Sequence, residues 1–147
     1  MSRHRFNASF AAGAIALCLC AAPAFAKTEI KGAAILDHAC GKVAVKQMGL
    51  MHAGKFDDAN KLSTPEMQAQ WKSMPAKDRE MMSGMAKDMS VTEAQFAADI
   101  KAAGVMVVDG PSATLTVQKK TKDANGSSTS TVTQSYKIAG NDCLVSR

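Results

Sequence analysis

The stretches Ala113-Thr114-Leu115-Thr116-Val117-Gln118 and Val132-Thr133-Gln134-Ser135-Tyr136-Lys137-Ile138 decide the fold. In the first, Ala113, Leu115 and Val117 alternate with polar side chains. In the second, Val132, Tyr136 and Ile138 fall at even spacing in a background of Ser and Thr. A period of two sets one face of a strand on a core and leaves the other in water. Asp123-Ala124-Asn125-Gly126 between them is a hairpin turn signal. Ala139-Gly140-Asn141-Asp142 turns the chain again, into a last short strand from Cys143 to Val145. The C-terminal part therefore reads as an antiparallel meander.

Upstream, Asp109-Gly110-Pro111-Ser112 is another turn signal. Before it, Phe96, Ala98, Ile100 and Ala102 alternate and Val105 to Val108 is apolar, which predicts a strand from Gln95 to Asp109 with Gly104 as a bulge. Ser90-Val91-Thr92-Glu93 has the form of a capping box and argues instead for helix. Further back the period is helical. Val43, Gln47, Met48 and Met51 recur at spacings of three and four from Lys42 to His52, and Ala53-Gly54 supplies a stop. A short helical turn is expected from Phe56 to Leu62. Thr64-Pro65-Glu66 then starts a helix with Met67 and Trp71 on one face. Pro75 restarts the pattern in a third helix, with Met81, Met85 and Met89 at i, i+4 and i+8 and Met82 beside them. Helices followed by meandering strands predict an α+β domain, its N-terminal helices packed on one face of a curved, cone-like antiparallel sheet of three to four strands.

The N-terminus reads as an export signal. Arg3, His4 and Arg5 precede an apolar run from Phe10 to Ala22, then Pro23 and Ala24-Phe25-Ala26. Residues 1–26 are expected to be removed, leaving residues 27–147 as one periplasmic or secreted domain. The run is shorter than the roughly 20 apolar residues a bilayer span needs, so no membrane anchoring is expected after cleavage. Leu17 and Leu19 before Cys18 and Cys20 do not fit a lipidation site. The chain carries a net charge of +5, and loss of Arg3 and Arg5 leaves +3. With only Phe56, Trp71, Phe96 and Tyr136 as aromatics beyond the signal, there is no basic stripe with stacking partners, and nucleic acid is not an expected ligand. Cys40 and Cys143 remain, and an oxidising compartment favours a disulfide over two separate thiols.

Residues 41–44, 52–59 and 62–63, then Val107-Val108-Asp109-Gly110, Ala113-Thr114-Leu115-Thr116-Val117 and Tyr136-Lys137-Ile138, resemble the α+β cone superfamily of nuclear transport factor two and ketosteroid isomerase. The chain is most similar to small exported bacterial members of unknown function. One departure is Cys143-Leu144, where such domains often carry a Trp. The resemblance implies a site inside the cone, where the enzymes use a pocket carboxylate facing a hydrogen-bond donor. Asp37 and Asp99 are the acids at hand, and either reading of the 95–109 segment leaves Asp99 solvated. Tyr136 is the one tyrosine.

The methionines are the compositional oddity, ten in all: Met1 and Met48, Met51, Met67, Met74, Met81, Met82, Met85, Met89 and Met106. Methionine fills cores and lines adaptable apolar pockets. Thioether sulfur also suits Cu(I), with Met48, Met51 and His52 as one conceivable cluster and Met81, Met85 and Met89 as another. His38 and His52 have no ligand spacing. The leading expectation is a non-catalytic domain that binds a small apolar ligand or a protein partner, without a cofactor. Met48, Met51, Trp71, Met81, Met85, Met89, Phe96 and Tyr136 are expected to line its pocket or core. A Met-rich copper-binding protein is second, and an isomerase or hydrolase of the same fold third.

Overall fold

Five strands form one antiparallel sheet in chain order: β1 (Thr28–Lys31), β2 (Gly104–Asp109), β3 (Ser112–Asp123), β4 (Gly126–Ala139) and β5 (Asp142–Ser146). The computed structural model describes residues 26–123 and 126–147. The expected signal segment thus lies outside the described residues apart from Ala26, as do Ala124 and Asn125 of the hairpin turn. Among the described residues no helix is long and apolar enough to cross a membrane.

The registers Ile30↔Met106, Met106↔Leu115, Ala113↔Tyr136 and Tyr136↔Val145 put these residues on one face of the sheet, where Met106, Ala113, Leu115, Tyr136 and Val145 are buried. Thr114 and Thr116 alternate onto the other face and stay partly exposed. β2 pairs with β3 only as far as Val117, and β5 pairs with β4 only from Ala139 back to Ser135. Beyond those points the β3–β4 hairpin runs on alone as a two-stranded arm.

The sheet has five strands rather than three to four. The extra one is β1, which pairs along the edge of β2. The 95–109 segment is also not one strand. It is helix α5 (Glu93–Ala103) followed by β2, with Thr92 as N-cap accepting from the Gln95 amide at 3.2 Å. Phe96 and Ile100, four apart, are the buried pair of that helix, and alanine, a strong helix former, fills two of the three positions between them, Ala97 and Ala98. Gly104 caps α5 and is no bulge. A Cβ there would stand 2.6 Å from the Ile100 carbonyl oxygen, so only glycine lets the chain turn so tightly from helix into strand.

The core joins α5 to helix α1 (Ala39–His52) and to a preceding 3-10 turn, Gly32–Asp37, through Ile35, Cys40, Ala44, Phe96 and Ile100. His38 caps α1, its Nδ1 accepting from the Cys40 amide at 3.2 Å. Cys40, in the first turn of α1, is bonded to Cys143 on β5 with 5.0 Å between Cα atoms. Both sulfurs belong to the buried cluster. The bond closes a loop with a sequence separation of 103. Closure of that length restricts the unfolded chain by about 4–5 kcal/mol in the entropic account. Cys40→Ser and Cys143→Ser are therefore expected to lower the urea midpoint by the same amount singly and together, because either removes the whole bond. Additive losses would contradict it.

Candidate functional site

Three helices continue from α1: α2 (Phe56–Asn60), α3 (Pro65–Ser73) and α4 (Ala76–Met89). Their placement starts from the segment between α2 and α3. The Val145 amide donates to the Leu62 carbonyl at 2.9 Å, and the Thr64 amide donates to the Val145 carbonyl at 2.9 Å, so this segment seals the free edge of β5. Ser63 and Thr64 are buried there, and Gln68 of α3 donates to the Ser63 carbonyl at 2.8 Å. Pro65 at the first helical position then launches α3 away from the sheet.

An apolar pocket of about 190 Å³ opens where α1 to α4 meet. Met51 comes from α1, Phe56 and Ala59 from α2, Met67 and Trp71 from α3, and Met82 and Ala86 from α4. Gln47, Asn60 and Ser63 are its polar members. The Trp71 indole is held from outside, its Nε1 donating to Asp57 Oδ1 at 3.1 Å. Phe56 and Trp71 also wall a second, wider cleft of about 600 Å³, whose far side is α4 with Arg79, Glu80, Ser83 and Lys87. The two spaces thus adjoin through an aromatic partition.

A separate cleft of about 350 Å³ lies between the α1–α5 layer and the β3–β4 arm, with Met48, Met89, Phe96, Val117 and Val132 in its walls. Asp99 lines it too. Its side chain is 22% exposed and stands 3.9 Å from Lys119 Nζ. This corrects the expectation of a solvated Asp99: on a helix it follows Phe96 by three residues and shares its face. Tyr136 is not the donor opposite it. It is 2% exposed in the core, lines neither cleft, and burial pushes its hydroxyl pKa well up. Among the described residues the one hydroxyl at the Asp99 cleft, Ser130, donates to the Lys119 carbonyl at 3.5 Å. Among these residues the cleft offers an ion-paired carboxylate and no facing donor of the kind enolate chemistry needs. Asp37 is exposed.

The residues singled out from the sequence are thus divided. Met51 and Trp71 meet in the helical pocket, Met48, Met89 and Phe96 in the arm cleft, and Tyr136 in the core. Met81 and Met85 join none of these. They are 60% and 59% exposed, and Met89 is 81% exposed despite touching the arm cleft. The stripe faces outward because α4 turns Met82 and Ala86 toward α1. Met48 and Met51 open into different clefts, and His38 and His52 stand at opposite ends of α1, roughly 20 Å apart. Among the described residues no three His, Cys, Asp or Glu side chains are placed to hold a metal ion. Phe56, Met67, Met82 and Arg79 were not anticipated. Met67/Trp71 and Met82/Ala86 at i, i+4 were the available signal.

Comparison of the chain with protein-family models, with curated proteins and with solved structures finds no match.

The exposures make a pair of substitutions diagnostic. Met106→Ala is expected to cost about 2–5 kcal/mol through the cavity it leaves in the core. Met85→Ala should change stability by no more than about 0.5 kcal/mol. Urea unfolding measures both, and a large loss at Met85 would place that side chain in the core after all.

Proposed function

We propose that this is a non-catalytic binding domain that takes a small apolar ligand into the pocket between α1, α2, α3 and α4. The observation that carries the reading is the pocket itself: seven apolar side chains from four helices around about 190 Å³, with few polar members. Ligand sites are typically concave and apolar with a few placed polar groups. A space of this size suits a single ring or a short alkyl chain, since a cavity of about 150 Å³ holds benzene. Methionine gives such walls the adaptability to close on differing shapes.

Two further expectations belong to the same reading. Helices followed by an antiparallel meander, with the core on one sheet face, support the resemblance to the cone domains of nuclear transport factor two and ketosteroid isomerase, here with five strands. The Cys40–Cys143 bond and the signal-like first 26 residues support a periplasmic or secreted location.

Trp71 is the one tryptophan of the chain, so its fluorescence reports on the pocket directly. Titration with 1-hexanol is expected to give a saturable change in the wild-type protein. Ala86→Phe fills the pocket from α4 and is expected to abolish the change while leaving the melting temperature within a few degrees. A wild-type signal that does not saturate, or an Ala86→Phe titration identical to wild type, would contradict the proposal.

A further inference from the structure

Met81, Met82, Met85 and Met89 are four of the five large apolar side chains that stand exposed among the described residues, and all four lie on α4. Every other described methionine is half-buried or, like Met106, buried. The helix itself does not require them, because Lys, Glu or Gln favours an exposed helical position about as well as Met. What sets Met apart is its thioether, which two-electron oxidants convert to the sulfoxide. Cys40 and Cys143 are closed in the disulfide, so among the described residues no thiol competes for such an oxidant.

We propose that the outward face of α4 is a sacrificial modification site. Met81, Met85 and Met89 are oxidised there to methionine sulfoxide, by hypochlorous acid and related two-electron oxidants, before the methionines of the pocket and core are reached. The thioether sulfur gives an electron pair to the chlorine of hypochlorous acid, the Cl–O bond breaks and hydroxide leaves. Water then attacks the sulfur and chloride departs. The net products are sulfoxide, chloride and one proton, sulfur having lost the two electrons that chlorine gains. Enzymatic reduction returns the sulfoxide to the thioether, so the face can be used again. Access sets the order of reaction: Met89 first, Met81 and Met85 next, then Met82, which is less exposed and lines the helical pocket. Lys77, Arg79 and Lys87 are offset along α4 by Asp78, Glu80 and Asp88, so no net charge on the helix overrides that order. A sulfoxide oxygen on the outward face stays in water and leaves the packing untouched. At Met106 it would put an unpaired polar group among buried apolar side chains.

The test treats the full exported protein with a limiting amount of hypochlorous acid, about one equivalent for each outward methionine, and maps the sulfoxides by peptide mass spectrometry. Most of the added oxygen is expected on Met81, Met85 and Met89, with Met106 unmodified and the melting temperature of the oxidised protein unchanged. Excess hydrogen peroxide is expected to give the same order more slowly. In the triple variant Met81→Gln, Met85→Gln, Met89→Gln the same limiting dose is expected to raise the sulfoxide yield at Met51, Met67 and Met82 several-fold. Sulfoxide spread evenly over all the methionines, or Met85 as protected as Met106, would overturn the site. A fall in melting temperature when only the outward three are oxidised would overturn it as well. Unchanged yields at Met51, Met67 and Met82 in the triple variant would overturn the sacrificial role. The wild-type map decides the site even if the variant fails to fold, and none of these readouts depends on a bound ligand.

Discussion

Everything in this domain hangs from the bond between Cys40 and Cys143. It fastens the first turn of α1 to β5 and lies inside the cluster that also holds Ile35, Ala44, Phe96, Ile100 and Tyr136. Several members of that cluster are small, and a chain of this size buries a limited fraction of its surface. The bond supplies constraint where apolar area is scarce. The contact between α1 and the 3-10 turn before it is correspondingly close: a Cβ on Gly41, the residue after Cys40, would stand 1.8 Å from the Ile35 carbonyl oxygen. Glycine is required there for α1 to sit on the preceding turn.

Outside that frame the physics changes. α3 and α4 bury no residue fully. Their attachment is the backbone clamp of Leu62 and Thr64 on Val145, the Gln68 hydrogen bond to the Ser63 carbonyl, and the apolar contacts around Met51, Met67 and Met82. Elements held by few buried contacts open at lower free energy than the core, and binding regions are drawn from that end of the scale. With a rigid α1–α5–sheet frame and a lightly held α2–α4 layer, the proposed ligand would supply part of the packing around Met51, Met67 and Met82.

Much of the frame was legible from residues alone. The alternation in 113–117 and 132–138 gave the central hairpin, Thr64-Pro65 gave the start of α3, and the cysteine count gave the disulfide. β1 was not legible, because Thr28-Glu29-Ile30-Lys31 has one apolar residue and acquires its strand character by pairing with β2. The 95–109 segment misled because Phe96 and Ile100 satisfy a period of two and a period of four alike. The Thr92 cap and the intervening alanines decided for helix. On α4, periodicity located a methionine face but not which side of the helix would turn toward the pocket, and that side carries Ala86 and Met82, the latter still 47% exposed. The site was legible only in Met51 and Trp71.

The division into a locked frame and a lightly held helical layer that the proposed ligand would support is tested most directly by amide hydrogen exchange, read segment by segment with and without 1-hexanol. The account predicts slow exchange in α1 and in β3 to β5 under both conditions. In α3 and α4 it predicts fast exchange in the free protein that slows with ligand concentration as mass action requires. Protection of α3 and α4 equal to that of the sheet in the free protein, or no change at saturating 1-hexanol, would contradict it.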